Sequence, residues 1–196
     1  PEGCNLVIIP NILKALGIPR NQGVEASRSK GRKILVVING ESNSGGCAPN
    51  TEALPNEIGL RPSVKILNNT TLTSFDDLNI GVNNIIGHTG ITNCSTHGFE
   101  LELANRAATK PFYNRPVYLV KTGHGGSTIG QWYVNSDYYN TFIKRIDAAK
   151  EILKGEKYTT VVLFSLGIND ALAGTDVKTW KTRVKAHFEI LRQELG

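Results

Sequence analysis

Short runs of apolar, mostly β-branched residues constrain the fold of this 196-residue chain more than any other feature. They cover residues 34–38, 117–120 and 161–164, and residues 64–67 form a further candidate strand. The three main runs lack the polar residue at every second position that marks a half-exposed strand. Such runs are typical of strands buried on both faces of a sheet. The sequence therefore predicts a sheet that is covered on both sides.

Amphipathic segments separate and follow these strands. Apolar residues recur at helical spacing over residues 99–110, 137–153 and 177–195. The last segment follows Thr175 and Asp176, either of which can serve as its N-cap. Strands that alternate with helices imply βαβ units, so we expect a parallel sheet with helices on both faces.

The first 33 residues differ from the rest of the chain. Pro and Gly interrupt their apolar pieces, so residues 1–33 are predicted to be an extension or linker, and residues 34–196 the folded domain. Most of the net charge of +5 lies in the extension. Its basic cluster at 28–33 has no interleaved aromatic residues for base stacking, which predicts a solvated segment and no nucleic-acid site. Residues 68–98 are rich in Asn, Thr and Gly and predict a long excursion, with one short strand at 84–86.

The amino-acid composition excludes several further classes of protein. The chain is 40% hydrophobic and 20% charged, too apolar for disorder and too often interrupted by charge for a membrane span. Its three cysteines, Cys4, Cys47 and Cys94, are far apart, and no paired Cys or His spacing indicates a metal site. We therefore expect no metal, and thiols that are free and buried, although the count also permits one disulfide.

Three predicted strands end in small, polar residues. The segments that follow them are 40–46, 121–127 and 167–170. In parallel sheets, ligands bind at the carboxyl ends of the strands, where such segments can meet. Together they offer hydroxyl groups, glycine amides and a side-chain amide. This inventory fits acyl transfer, which needs a nucleophile and preorganised donors for an oxyanion.

Motifs for competing chemistries are incomplete. Gln131 and Trp132 stand where a phosphate-binding loop would have Lys and Ser or Thr, and Thr128 stands where a dinucleotide fingerprint needs Gly. The Gly-x-Ser-x-Gly elbow of lipases also fails, because Ser44 and not Gly follows Asn43. Phosphate binding and the lipase type of site are therefore not predicted.

The segment Gly40-Glu41-Ser42-Asn43 resembles the Gly-Asp-Ser or Gly-Gln-Ser-Asn block of the SGNH (GDSL-like) hydrolases. The closest branch is the sialate O-acetylesterase-like carbohydrate esterases. Three more segments resemble blocks of this branch in the same order: His97-Gly98-Phe99-Glu100-Leu101, Lys121 to Trp132 with Gly125-Gly126-Ser127 inside it, and Gly167-Ile168-Asn169-Asp170. The likeness extends from about residue 34 to residue 171.

The resemblance implies a flavodoxin-like three-layer α/β/α fold with a parallel sheet, and ester hydrolysis without a cofactor. It makes Ser42 the nucleophile. The amides of Ser42 and Gly126 and the side chain of Asn169 would form the oxyanion hole. Taken singly, the same residues also fit ordinary structural roles, as an N-cap serine, a turn glycine and a turn asparagine. Their joint position at strand ends favours the functional interpretation.

The sequence departs from the family at the general base, because no Asp-x-x-His block is present. Of the four histidines, His88 and His97 lie in the polar excursion, and His187 is predicted to be a surface residue of the last helix. The expectation is therefore that this chain is truncated at its C-terminus and has lost its general base. The alternative base is His124, the one histidine in a predicted active-site loop.

These observations predict a serine esterase that removes short acyl groups, above all acetyl, from a carbohydrate through an acyl-enzyme. The acylated carbohydrate is the one partner expected, with no nucleic acid and no membrane. The alternative is a catalytically inactive carbohydrate-binding or scaffold domain on the same fold.

Overall fold

The computed structural model of the chain describes residues 5–6, 32–84, 95–109 and 115–196. The strands in these ranges are β1 Asn5–Leu6, β2 Lys33–Gly40, β3 Ala48–Pro49, β4 Arg61–Leu67, β5 Phe75–Leu78, β6 Thr96–His97, β7 Val117–Lys121 and β8 Tyr158–Ser165. The α-helices are α1 Ser42–Gly45, α2 Glu100–Thr109, α3 Asp137–Ile152, α4 Ile168–Leu172 and α5 Val177–Leu195. Short 3₁₀ turns occupy Asn50–Glu52, Pro55–Glu57 and Ile129–Gln131.

Six strands form the main sheet in the order β1-β8-β2-β7-β4-β5. Strand β2 lies at its centre and pairs in parallel with β8 along its whole length and with β7 along most of it. The edge strand β5 is antiparallel to β4, because the short connection at residues 68–74 cannot make the crossover that a parallel pair needs. The sheet is thus mixed but mostly parallel, as predicted. Strands β3 and β6 form a separate two-stranded ladder.

Each face of the sheet has its own hydrophobic core. Along β2, Leu35 and Val37 belong to the core built with α3 and α5. The alternate residues Ile34, Val36 and Ile38 belong to the core built with α2. Because both faces are covered, every position from Ile34 to Ile38 is apolar, which explains the continuous run in the sequence. The three-layer α/β/α fold is confirmed.

The two long helices begin at side-chain caps. Ser136 Oγ accepts a hydrogen bond from Tyr139 N, and Asp176 accepts one from Thr179 N at 3.0 Å. Of the two predicted caps for α5, Asp176 is therefore the correct one. Such a cap contributes about 1 kcal/mol to helix stability.

Some predicted features differ in the structure. The excursion at 68–98 contains β5 and β6, and Asn84 of the predicted strand at 84–86 is not in a strand, while residues 85 and 86 lie outside the described residues. Asn5–Leu6, inside the predicted extension, pairs with β8. The boundary between residues 33 and 34 stays a prediction. None of the described helices is long and apolar enough to cross a membrane.

Candidate active site

The predicted site residues lie at the carboxyl ends of three neighbouring strands. Ser42 follows β2 as the first residue of α1, Gly126 lies in the segment after β7, and Asn169 lies in the first turn of α4 after β8. Because β8, β2 and β7 are adjacent and parallel, their ends share one edge of the sheet. The fold therefore brings all three segments to the same edge.

Hydrogen bonds join the three segments to one another. Glu41 N donates to Ser165 O at 2.9 Å, which connects the turn after β2 to the end of β8. His124 N donates to Gly40 O at 2.9 Å, which connects the segment after β7 to the same turn. Asn169 Nδ2 donates to Ser127 O at 3.1 Å, which connects the segments after β8 and β7.

The turn that carries Ser42 depends on two glycines. Gly40 has a φ of +147°, and a Cβ there would lie 1.9 Å from Ser165 O. A Cβ at Gly123 would lie 2.3 Å from Gly45 N. Both distances are far below any tolerable contact, so the backbone passes closely enough only without side chains. The close approach fixes where α1, and hence Ser42, stands relative to the sheet.

The Ser42 hydroxyl donates to a buried carboxylate. Its Oγ lies 2.7 Å from Glu41 Oε2, and Glu41 Oε1 accepts from Asn43 Nδ2 at 2.8 Å. The Glu41 side chain is only 1% exposed, whereas Ser42 is half-buried and Asn43 exposed. No role for Glu41 was predicted from the sequence. The signal available was an acidic residue in the turn that follows the apolar run of β2.

Two of the predicted oxyanion donors, Gly126 and Asn169, lie outside the Ser42 turn. Gly126 is exposed with a φ of +76°, a conformation that favours glycine. One of the two amide hydrogens of Asn169 is used by Ser127 O, which leaves the second for another acceptor. The neighbouring Asp170 is 2% exposed and accepts from Ile129 N at 2.9 Å, which further fixes this turn.

His124, the predicted base, lies in the segment after β7. Its ring contacts Gly125 O through Nδ1 at 2.7 Å and lies against Tyr138 with ring centroids 4.2 Å apart. The single hydroxyl hydrogen of Ser42 is donated to Glu41 and not to His124. The role of His124 as base therefore remains a prediction.

His187 corrects the sequence analysis, which predicted a surface residue. It is 3% exposed, and Nε2 lies 2.8 Å from Asn39 Oδ1 at the end of β2. Trp132, Phe164 and Phe188 surround its ring. Burial lowers the pKa of His187 to about 4, since the protonated ring would lose its water. The apolar stripe of α5 is thus wider than its strictly apolar residues suggest.

A buried ion pair lies at the end of β7. Lys121 Nζ is 2.8 Å from Glu100 Oε2, and both side chains are almost fully buried. Lys121 also donates to Asn84 Oδ1, and the Asn84 amide donates to Gly46 O just after α1. Burial lowers the pKa of Lys121, and the charge of Glu100 opposes this effect. Through Asn84, the buried ion pair is thus connected to the backbone at Gly46, just after the short helix that begins with Ser42.

Cys47 is free, as predicted, but it is exposed and not buried. Its thiol lies 3.6 Å from the carbonyl oxygen of Ser42. Cys4 and Cys94 lie outside the described residues, as does His88.

A cleft of about 390 Å³ opens beside the Ser42 turn. Its lining includes Glu41 and Asn43 from the Ser42 turn and Asp170, Val177 and Trp180 from α4 and α5. The lining does not include the predicted site residues Ser42, Gly126 and Asn169. Within the described parts of the chain, no group of three or more His, Cys, Asp or Glu side chains is arranged to hold a metal ion.

A family model described as a carbohydrate esterase, sialic acid-specific acetylesterase, matches residues 32–196. Among solved structures, a protein from Arabidopsis thaliana superimposes with a TM-score of 0.67 at 20% identity, over 83% of this chain and 68% of that one. NanS superimposes with a TM-score of 0.63 at 18% identity, over 84% of this chain and 62% of its own. The chain thus spans less than two thirds of the length of NanS. No curated protein matches the sequence.

Proposed function

The chain belongs to the sialic acid-specific acetylesterase family of carbohydrate esterases, and we propose that it hydrolyses short acyl esters, above all acetyl esters, of a carbohydrate with Ser42 as nucleophile. The resemblance in the four sequence segments is thereby confirmed at the level of the family. The proposal concerns what this chain does and which residues do it.

The position of Ser42 is the observation that carries the proposal. It stands on a glycine-dependent turn at the carboxyl end of the central strand, with its hydroxyl hydrogen already engaged by Glu41 at 2.7 Å. A serine that merely capped a helix would direct its Oγ at a backbone N–H two or three residues later. The side chain of Ser42 makes no such cap bond among the described contacts and instead donates its hydrogen, as a nucleophile must.

The proposed reaction proceeds in two halves. Ser42 Oγ attacks the carbonyl carbon of the ester, and the carbonyl oxygen becomes an oxyanion. The amides of Ser42 and Gly126 and the second hydrogen of the Asn169 amide stabilise this charge. The bond to the sugar oxygen then breaks, and this oxygen takes up the proton released by Ser42 and leaves as an alcohol, so that an acyl-enzyme remains. Water attacks the acyl carbon, one of its protons returns to Ser42 Oγ as that bond breaks, and the carboxylic acid is released.

The volume of the cleft beside the Ser42 turn is suited to a small ligand. Its volume of about 390 Å³ falls in the range usual for small-molecule sites, about 300–1,000 Å³. Its lining includes the apolar side chains of Val177 and Trp180 and the polar side chains of Glu41 and Asn43, the two neighbours of Ser42. We propose that the esterified sugar binds here, with its acyl group directed toward Ser42.

The test compares hydrolysis of p-nitrophenyl acetate and of an O-acetylated sialic acid by wild type, Ser42→Ala and Ser63→Ala. Ser63 is an exposed serine of β4 and provides the matched control for the same chemical change. We expect Ser42→Ala to fall to the uncatalysed rate and Ser63→Ala to retain wild-type turnover. Equal rates for Ser42→Ala and wild type would refute the proposal and favour the inactive carbohydrate-binding domain.

A further inference from the structure

We propose that three lysines of α5 form a subsite for an acidic oligosaccharide, a glycan chain with one carboxylate on each residue. The lysines are Lys178, Lys181 and Lys185, and the surface that they line is called the lysine groove. The inference rests on the proposed function, because it extends the site in which the esterified sugar binds. The protein would then act on an esterified residue within a charged chain.

The lysine groove adjoins the cleft beside the Ser42 turn. It has a volume of about 500 Å³, and Thr182 and Val177 line it together with the three lysines. Val177 also lines the cleft. The two depressions are therefore neighbours at the first residue of α5. A glycan chain that leaves the cleft past Val177 can continue along the lysines.

The three lysines lie on one face of α5. They are separated by three and then four residues, a spacing that places side chains above one another on a helix. At a rise of about 1.5 Å per residue they span roughly 10 Å along the helix axis. Lys178 and Lys185 are exposed, and Lys181 is half-exposed. The groove thus presents a row of positive charges to solvent.

No carboxylate of the described residues forms an ion pair with this row of charges. Other lysines and arginines of the described ranges are paired with Asp or Glu, but the three groove lysines are not. The acidic residue nearest in sequence, Asp176, accepts from Thr179 N as the cap of the helix. From Val177 to His187 the helix carries four basic residues and no acidic one. The groove is therefore suited to a negatively charged ligand.

This charge pattern is unfavourable for the helix itself. Lys178 lies in the first turn, where the positive end of the helix dipole disfavours a cation. Lys181 has a like charge three residues before it and another four residues after it, and such pairs repel each other. The first turn contains no acidic residue that would offset these effects. A local pattern that opposes the stability of its own helix is expected at a functional surface.

The side chains of the groove favour a flexible anionic glycan over other anions. Its cations are lysines, which are compact charges on flexible stems. Among its described lining residues there is no arginine to hold a single phosphate or carboxylate through two parallel hydrogen bonds. The same lining has no aromatic side chain on which a nucleobase could stack. Because the groove continues the cleft, its ligand is the extension of the esterified sugar.

The test compares hydrolysis of an O-acetylated tetramer of sialic acid with hydrolysis of the O-acetylated monomer at low ionic strength. The groove variant combines three substitutions: Lys178→Gln, Lys181→Gln and Lys185→Gln. The control variant removes the same charge from exposed lysines outside the groove: Lys144→Gln, Lys154→Gln and Lys157→Gln. We expect the groove variant to raise KM for the tetramer about tenfold, because three exposed ion pairs are lost. The change should lie in KM and not in kcat, since contacts remote from the ester hold substrate and transition state equally.

The dependence on salt provides a second measurement. KM of the wild type for the tetramer should rise with added NaCl, because salt screens exposed charges, and this rise should nearly disappear in the groove variant. The melting temperature of the groove variant should not fall, since repulsion within α5 is removed. An unchanged KM for the tetramer in the groove variant would overturn the subsite. Equal losses in the groove and control variants would also overturn it, because they would indicate a general effect of net charge.

Binding without turnover separates this inference from the proposed function. Calorimetry with the unacetylated tetramer measures its affinity for Ser42→Ala, and adding the three groove substitutions should weaken it about tenfold. Ser42-dependent hydrolysis with no effect of the groove on KM or affinity would overturn the subsite and leave the esterase intact. Groove-dependent binding without Ser42-dependent hydrolysis would overturn the esterase and support the subsite as part of a carbohydrate-binding domain.

Discussion

Acidification should destabilise this protein through His187. Its Nε2–H donates to Asn39 Oδ1, and Trp132, Phe164 and Phe188 surround the ring. Protonation would thus place a charge in a buried, largely aromatic environment. Burial lowers the pKa of His187 from 6.5 to about 4. The unfolded chain therefore binds a proton below pH 6.5 that the folded chain takes up only near pH 4.

The direction and size of the change in stability follow from the difference between the pKa values of His187 in the unfolded and folded states. Between pH 6.5 and 4 the unfolded state binds more protons, so stability falls as the pH falls. The difference corresponds to a loss of about 3 kcal/mol in the free energy of unfolding by pH 4. Stability contributed by the neutral ring is fully present above pH 6.5. For a domain of this size the loss is a large fraction of the total stability.

Urea unfolding at a series of pH values from 7.5 to 4 provides the assay. His187→Gln is the matched variant, because its amide can still donate to Asn39 but cannot titrate. Carboxylates that titrate in the same window are common to both proteins, so the difference between the two curves isolates His187. Wild type should lose about 3 kcal/mol more than the variant over this range. Parallel curves would contradict the argument and show that the ring is protonated in the folded state as easily as in water.

Two further changes test other parts of the site. If Asn169 is the oxyanion donor that we propose, Asn169→Ala should lower kcat on p-nitrophenyl acetate by about 10²–10³-fold, while the melting temperature changes little. A large drop in melting temperature with a proportionate loss of activity would instead mark a structural turn residue. Lys121→Met should reduce the free energy of unfolding by about 3–5 kcal/mol in urea titrations, because it leaves the buried charge of Glu100 unpaired. The double variant with Glu100→Gln should recover part of that loss, and a double variant as unstable as the single one would refute the ion-pair explanation.

The sequence predicted those elements of the fold that a local pattern determines. The runs at 34–38, 117–120 and 161–164 became β2, β7 and β8 because strands buried on both faces need an apolar residue at every position. Helices α3 and α5 followed their periodicity and their caps. The strand order could not be predicted, because it depends on which strands meet in space.

The positions of the candidate site residues could be predicted by the same reasoning, because the carboxyl ends of parallel strands share one edge of the sheet. The contacts that these side chains make could not be predicted in this way. His187 looked exposed because a histidine beside an apolar stripe fits either environment, and only its bond to Asn39 decides. The engagement of the Ser42 hydroxyl by Glu41 depends on the turn geometry at Gly40, which no residue pattern encodes.

The central position of β2 has a consequence for how the protein is made. Val36 pairs with Leu119 on one side and with Val161 on the other, so the second partner is synthesised about 125 residues later. At ribosomal rates that interval is on the order of ten seconds. Throughout it, the strand leading to Ser42 is an apolar segment with one or both edges unpaired, the kind of segment that chaperones bind and that aggregates when left exposed. Until β8 has been made, the nascent chain thus carries an incompletely paired apolar strand directly ahead of Ser42.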